Sequence, residues 1–552
     1  MKRKIKDWMT CNSWQMITLL LLLLIIGLPS LFISWSLVDD GYTALISEKI
    51  TDSIRAFDLR GLRDVIFEKE NGRFRPFYWI FNWLVFKVAG FNPHYHYLVH
   101  FLLMFVSALT IYSIINKISS NKNAGLLGAT FYSASLLSVE NWYRLGPVEP
   151  IIAALLSLTL YYLFHVLSET KSARKYGTIT LLLTILAYLT KESMIVLLPF
   201  SLVVLISFNL LKKHSRREII NLSFLPKFAL LNTGAVLLLI PIILWLRSEG
   251  TYSQSYTLDL FQITSNLNIY LKEIRTSYGI FFVFLLFSYF TRGSYKIFKR
   301  KTIWEQYFIW QLLFFVLFAL LLAQQLPWQY ALNRYLLPSQ VGLSLFLGLE
   351  AAIILNYVEH KTNYNTSVLL LVLILLMFLY RNLPFFANYS AWVIKRTNAV
   401  KELLVYISKT APENSRVLIN AQKGDGTIEL VLETKYHLQQ FYKRDDLSVQ
   451  YLDEEAIKQL SNRDFILSGI VSPNFYAISQ EELAKMANLK LEKKISFEDR
   501  QYSFLSLGEI IKNYYNRYIK LILVLQNPSP FAIISQTVTF NEWQIYRSIS
   551  KI

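Results

Sequence analysis

The stretch MITLLLLLLIIGLPSLFISWSLVDD, residues 16–40, decides how this chain is read. No charge interrupts it from 16 to 38, and a run of that length crosses the ~30 Å hydrocarbon core of a bilayer as a helix. It ends on two carboxylates, Asp39 and Asp40. Acidic groups are costly to hold beside hydrocarbon and mark working positions. We therefore read the pair as the chemical end of a membrane enzyme. The plainer alternative is an N-cap on a helix opening near Tyr42, with Glu48 and Lys49 on its solvated face.

Composition extends the membrane reading to the rest of the chain. Of 552 residues, 54% are hydrophobic, 15% aromatic and only 17% charged, and the mean hydropathy is +0.35. That balance is unusual for a water-soluble globule. The formal charge of +18 raises the question of nucleic acid, but the basic residues sit in short loops between apolar runs, where they act as an orientation signal. Nucleic acid is set aside as a partner. The single cysteine, Cys11, excludes an intramolecular disulfide. Residues 1–29 lack a small-residue cleavage site and are expected to stay as a signal anchor.

Eleven spans are expected: 16–38, 97–116, 123–139, 150–167, 176–190, 193–211, 228–246, 277–291, 303–322, 336–357 and 367–380. The segment 76–86, PFYWIFNWLVF, is too short to cross and reads as an interfacial helix. Basic residues decide that point. With 76–86 on the surface, the loops holding Lys117 and Lys122, Lys171 to Lys175, Lys212 to Lys227, Arg292 to Lys301 and Lys361 share one side with Lys2, Arg3, Lys4 and Lys6. This is the cytoplasmic side by the positive-inside rule. The N-terminus is then cytoplasmic in a multi-pass plasma or inner membrane protein. Asp39, Asp40, Arg73, Arg75, Glu140, Glu149, Lys191 and Arg334 all fall on the external face.

After Arg381 the pattern becomes charged and mixed, with short apolar runs at 417–419 and 465–470, a helix-like stretch at 453–460 and turn signals at 423–426 and 472–474. We expect residues 1–381 to form the membrane domain and 382–552 an external mixed α/β domain large enough for one core.

Moving a group from a phosphate to a hydroxyl needs a base for the acceptor proton and positive charge for the departing phosphate. Asp39 and Asp40 suit the base. Arg73 and Arg75, in GRFRPFYW (72–79), suit bidentate phosphate binding, or ordinary headgroup anchoring. The second external loop, SVENWYRLGPVEP (138–150), carries Glu140 and Glu149, which could orient an acceptor or assist a divalent metal; a solvated hairpin is the bland alternative. Lys191 in LTKES (189–193) and Arg334 in QQLPWQYALNRYLLP (324–338) could face the phosphate. His94, His96 and His100 do not converge on one helical face, so they read as hydrogen-bonding groups rather than metal ligands. Glu350 lies inside a span and is expected to be paired there. No Gly-rich nucleotide loop is present, which disfavours a soluble nucleotide sugar as donor.

An N-terminal span ending in Asp39-Asp40, a basic residue and proline opening an interfacial helix (Arg75-Pro76), a HYLVH start (96–100) to the next span, Glu149-Pro150 closing the second loop, LTKES and Asn333-Arg334-Tyr335 together resemble the GT-C glycosyltransferase superfamily. The likeness is to the branch related to protein O-mannosyltransferases and the lipid A aminoarabinose transferase. It covers roughly 10–380 in layout. The resemblance implies inverting transfer from a polyprenyl-phosphate-linked sugar to a lipid, glycan or protein acceptor. Asp39 matches the family base, Glu149 stands where related proteins more often have Asp, and Arg75, Lys191 and Arg334 suit the lipid phosphate. Metal use varies in the superfamily and no cofactor is fixed by the sequence. A flippase of lipid-linked saccharides is disfavoured, since the charges gather on one face and the two halves are unlike. A polysaccharide ligase or polymerase and a partner-binding scaffold stay open as alternatives.

Overall fold

The computed structural model describes residues 13–36, 40–67, 73–168, 172–214, 222–249, 259–279, 303–328, 331–423, 428–468, 476–486, 489–504 and 534–548, with 282, 288 and 289. Among them, eight helical stretches are long and apolar enough to cross a membrane: Trp14–Phe32, Pro93–Ser119, Glu149–Ser168, Glu192–Lys212, Phe224–Leu246, Tyr307–Gln325, Asn333–Lys361 and Tyr364–Thr410. Each overlaps one of the eleven expected spans. Of the other three, 277–291 lies largely outside the described residues. The expected 176–190 is the helix Ala173–Thr190, which opens with Arg174 and Lys175. The expected 123–139 is a broken helix.

Numbered along the chain, the helices up to the last span are α1 Ser13–Gly27, α2 Asp40–Arg55, α3 Leu59–Ile66, α4 Pro76–Ala89, α5 Pro93–Ser119, α6 Lys122–Ser133, α7 Leu136–Trp142, α8 Glu149–Ser168, α9 Ala173–Thr190, α10 Leu197–His214, α11 Phe224–Glu249, α12 Leu260–Tyr278, α13 Ile303–Gln325, α14 Leu337–Lys361 and α15 Tyr364–Thr410. The first span is shorter than expected. Pro29 tightens it into a 3₁₀ turn, Leu28–Phe32, after which Ile33 is extended.

The bundle is built around α14, which is buried on every side from Leu337 to Ala352, as a helix apolar all round should be. Small residues let its neighbours approach. A Cβ on Gly342 would stand 2.8 Å from both the Phe314 carbonyl oxygen and the Phe318 nitrogen of α13. The break between α6 and α7 frees backbone groups in a place where water cannot satisfy them, so side chains must. The Gln340 amide donates to the carbonyls of Phe131 and Tyr132 at 3.1 and 2.7 Å. The Tyr278 hydroxyl donates to Phe131 at 3.0 Å and the Trp142 indole to Ser133 at 2.9 Å. Glu350 accepts from the Gln311 amide at 2.9 Å inside the bundle.

Helix α4 has 14 residues, about 21 Å at 1.5 Å per residue, and cannot cross. Tyr78 and Trp79 are buried while Ile80, Leu84 and Val88 form an exposed stripe, the pattern of a helix lying at an interface.

The last span does not stop at Arg381. Helix α15 runs on for 47 residues in all, and its buried positions Phe386, Ser390, Val393, Thr397, Val400, Leu404 and Ile407 recur every three or four residues. Up to Val393 these join the membrane-domain core; from Ala399 they join a second core. That core is a five-stranded mixed sheet in the order β2-β1-β3-β5-β4, with β1 Arg416–Ile419, β2 Ser448–Tyr451, β3 Phe465–Ser468, β4 Leu489–Phe504 and β5 Ile534–Ser548. Strands β1, β2 and β3 are parallel, and β5 is antiparallel to β3 and β4. Helix α16, Ile428–Tyr442, crosses from β1 to β2; the short α17, Glu454–Lys458, and α18, Gln480–Lys485, complete the C-terminal layer. The turn signals expected at 423–426 and 472–474 fall largely or wholly outside the described residues. On α16, Tyr436 lies against Glu48 and Asp52 of α2.

Candidate functional site

The helices bring their charged ends together at one end of the bundle. Glu149 opens α8 and is 1% exposed; Lys191, in the extended link after α9, donates to its Oε1 at 2.7 Å. Lys191 is positioned because α9 ends at Thr190 and the chain turns at once into the 3₁₀ helix Glu192–Val196. Arg334 sits in a similar 3₁₀ turn, Asn333–Leu336, at the start of α14. The Tyr335 ring lies beneath both cations, 4.8 Å from Lys191 Nζ and 5.4 Å from the Arg334 guanidinium. Besides Lys191, the charges of Arg334 and Arg75 act on the Glu149 carboxylate.

Glu140, at the end of α7, is the second acid. Arg144 pairs with it one turn on, and Arg334 Nη1 reaches it at 3.4 Å. The Asn141 amide donates to the Arg334 carbonyl at 3.1 Å, fixing the loop to the 3₁₀ turn. Arg75 is the N-cap of α4 and lies 5.9 Å from the Tyr78 ring. Tyr78 in turn donates to the Gly146 carbonyl at 2.8 Å. The Tyr143 hydroxyl, pushed upward in pKa by burial, donates to Ile26 at 2.6 Å. Thus the second loop is tied to α1, α4 and the 3₁₀ turn before α14 at once.

Of the sequence-predicted residues, Glu140, Glu149, Lys191 and Arg334 are joined by direct ion pairs or a shared ring, and Arg75 acts on the same carboxylate. Arg73 is partly buried, two residues before Arg75. Asp39 lies outside the described residues. The backbone of Asp40 begins α2, where the N-cap alternative also places a helix start.

A narrow recess lies beside this cluster, lined by Trp35, Thr43, Tyr78, Asn82, His96 and His100 among others. His96 bonds the Gly90 carbonyl at 3.0 Å and His100 the Asn141 carbonyl at 2.7 Å, the hydrogen-bonding role read for them. Among the described residues no three His, Cys, Asp or Glu side chains converge as a metal site.

Tyr389, Trp392 and Arg396 were missed, and Tyr335 was read only as part of a motif. Tyr389 lies 6.1 Å from the Tyr143 ring and feels the charges of Glu140, Arg144, Arg334 and Arg396. Arg396 stacks over Trp392 at 5.1 Å. Tyr335 floors the Lys191–Arg334 pair. The signal for Tyr389, Trp392 and Arg396 was their spacing of three and four residues, one face of a helix, hidden by the boundary drawn at 381.

This architecture defines a multi-pass membrane protein that gathers cations and carboxylates at one end of its helices. Residues 76–245 match the dolichyl-phosphate-mannose-protein mannosyltransferase family, so the resemblance to GT-C glycosyltransferases drawn from short motifs is borne out. Among solved structures, ArnT from Cupriavidus metallidurans, bound to undecaprenyl phosphate, is 13% identical with a TM-score of 0.48, covering 87% of this chain and 96% of that one. The oligosaccharyltransferase AglB from Archaeoglobus fulgidus, in complex with an inhibitory peptide and a dolichol-phosphate, is 12% identical with a TM-score of 0.46, covering 73% of this chain and 59% of that one. No curated protein sequence matches.

Proposed function

We propose that this chain is a membrane glycosyltransferase that moves a sugar from a polyprenyl-phosphate-linked donor to an acceptor at the external face. The observation that carries the reading is the buried Glu149–Lys191 pair with Arg334 and Arg75 acting on the same carboxylate, drawn from four separate segments of chain to one end of the bundle. Such a concentration of charge is worth holding only if charge develops there.

The basic loops support the external placement. Lys117 and His165 meet at the far ends of α5 and α8, and His165 is 16 residues, about 24 Å, from Glu149 along its helix. The catalytic cluster is therefore opposite the side that the positive-inside rule assigns to the cytoplasm.

In the proposed reaction Asp39 or Asp40 removes the acceptor hydroxyl proton. The freed oxygen forms its bond to the anomeric carbon from the face opposite the phosphate, and the carbon–oxygen bond to phosphate breaks with its electron pair. Configuration inverts. The phosphate gains a negative charge as it leaves, which Arg75, Lys191 and Arg334 neutralise. Glu149 holds Lys191 in place and keeps the cations together before donor arrives.

The test is mass spectrometry of lipid-linked sugars and glycans in a deletion strain complemented with wild type, Asp39→Asn or Asp40→Asn. Accumulation of one polyprenyl-phosphate sugar in the deletion, relieved by wild type and not by at least one Asn variant, is expected. An unchanged donor pool in the deletion would sink the reading.

A further inference from the structure

We propose that Thr397 of α15 and Phe441 of α16 are positioning residues for the transfer reaction: they hold the extended segment 33–36, which leads into α2 and its acid at Asp40. The proposal rests on the glycosyltransferase reading and gives the chain beyond Arg381 a task inside that site.

After its 3₁₀ turn the first span runs on through residues 33–36 with neither helix nor strand. Such a segment cannot bond its own backbone, so its N–H groups need partners from elsewhere. The Ser34 N–H donates to Thr397 Oγ1 at 3.3 Å. Thr397 is 1% exposed, and its hydroxyl donates in turn to the Ile394 carbonyl at 3.2 Å, which fixes the oxygen and leaves a lone pair for Ser34. Trp35 is held on its own account. Its indole donates to the Phe91 carbonyl at 2.9 Å, and its ring lies 6.4 Å from that of Phe441, which also meets Phe91 edge-on at 5.1 Å. Phe441 thus packs against the membrane-domain core, although its helix crosses between two strands of the C-terminal sheet.

The clamp bears on the recess. Trp35 and Thr43 line it together with Tyr78 and His100; Thr43 stands in the first turn of α2, Tyr78 is bonded to the second loop and His100 to Asn141. A shift of Trp35 therefore moves one wall of the recess and the entry to α2, while Glu149, Lys191 and Arg334 keep their places on other helices. A reacting group displaced by about 1 Å can cost about 100-fold in rate. Packing that served only to dock a domain could fall anywhere on the bundle. Both of these contacts fall on the segment directly ahead of the acids.

The full chain in phosphatidylcholine nanodiscs tests the clamp by hydrogen exchange, and a complemented deletion strain tests its purpose. Thr397→Val keeps the side-chain shape but leaves the Ser34 N–H without its acceptor, so exchange there should quicken about fivefold, with Thr397→Ser close to wild type. The half-saturating concentration of undecaprenyl phosphate, followed by thermal unfolding, should change less than about twofold in Thr397→Val and Phe441→Ala, since neither touches the phosphate cations. In the strain, at equal protein levels, Thr397→Val and Phe441→Ala should leave the polyprenyl-phosphate sugar raised, whereas Thr397→Ser and Phe441→Leu should relieve it. Unchanged exchange at Ser34 in Thr397→Val overturns the proposal. Faster exchange with the pool relieved as by wild type also overturns it, because the clamp is then structural only. So does a loss of undecaprenyl phosphate binding of about tenfold or more, which would place these residues with the donor. A pool that does not rise in the deletion itself is a different failure: it removes the glycosyltransferase reading, and this proposal with it.

Discussion

Replacing Lys191 by Met should be far more damaging than replacing both Lys191 and Glu149. The two are 2.7 Å apart, with side chains 10% and 1% exposed. At an effective dielectric of about 20 their attraction is roughly 6 kcal/mol, and removing one partner of a buried pair costs about 3–5 kcal/mol because the other charge is stranded. Arg334 and Arg75 also act on Glu149, which offsets part of the loss and places Lys191→Met near the lower end, about 3 kcal/mol. In Lys191→Met/Glu149→Leu no charge is stranded, so stability should return to within about 1 kcal/mol of wild type. Reversible unfolding in mixed micelles, read by tryptophan fluorescence, measures the cycle. A double variant no more stable than Lys191→Met, or a single variant costing under about 1 kcal/mol, would show that the pair does not hold the site together.

Gly342→Ala should lower stability by about 1–3 kcal/mol through overpacking against α13, while Gly234→Ala, with nothing within 4 Å of the added Cβ, should be neutral or better; equal effects in the same unfolding assay would refute the close approach. Gln340→Leu strips a donor from the Phe131 and Tyr132 carbonyls at the α6–α7 break; Tyr278 still serves Phe131, so the cost should be about 1–3 kcal/mol, for the Tyr132 carbonyl, with faster hydrogen exchange at 131–136 as the check. His437 is buried in α16 and its pKa is lowered to about 3 by burial. Its folded pKa lies below the unfolded 6.5, so stability is flat above that value and falls as pH drops toward 3, by about 2 kcal/mol at pH 5. Hydrogen exchange over 428–442 should accelerate between pH 7 and 5 after correction for intrinsic rates, and His437→Phe should remove that slope.

Much of this was legible because membranes simplify the code. Long uncharged runs have one stable form in hydrocarbon, so the positions of the spans could be read directly. The site was partly legible for the same reason: Glu149, Lys191 and Arg334 each stand where an apolar run begins or ends, and such ends on one side of a bundle meet. What composition could not convey was continuity. Arg381 interrupts the hydropathy at the final span, yet Phe386, Val393, Val400, Leu404 and Ile407 keep a helical period past it, and only that period, followed without regard to charge, leads to Arg396. The break after Ser133 was hidden differently, since its polar partners, Gln340 and Tyr278, come from distant parts of the chain. Pro29 was visible in the sequence, but its tightening of the first span into a 3₁₀ turn depended on where the helix meets its neighbours.

The 47 residues of α15 amount to about 70 Å of rod, more than twice the thickness of hydrocarbon it passes through. The outer half is a shaft on which the sheet is mounted, gripped by contacts such as Lys493 with Glu402 at 2.7 Å. On a shaft, angular phase matters more than reach. One residue inserted near position 400 would lengthen it by only about 1.5 Å but turn everything beyond by about 100°, lifting α16 away from α2 while leaving the membrane helices untouched.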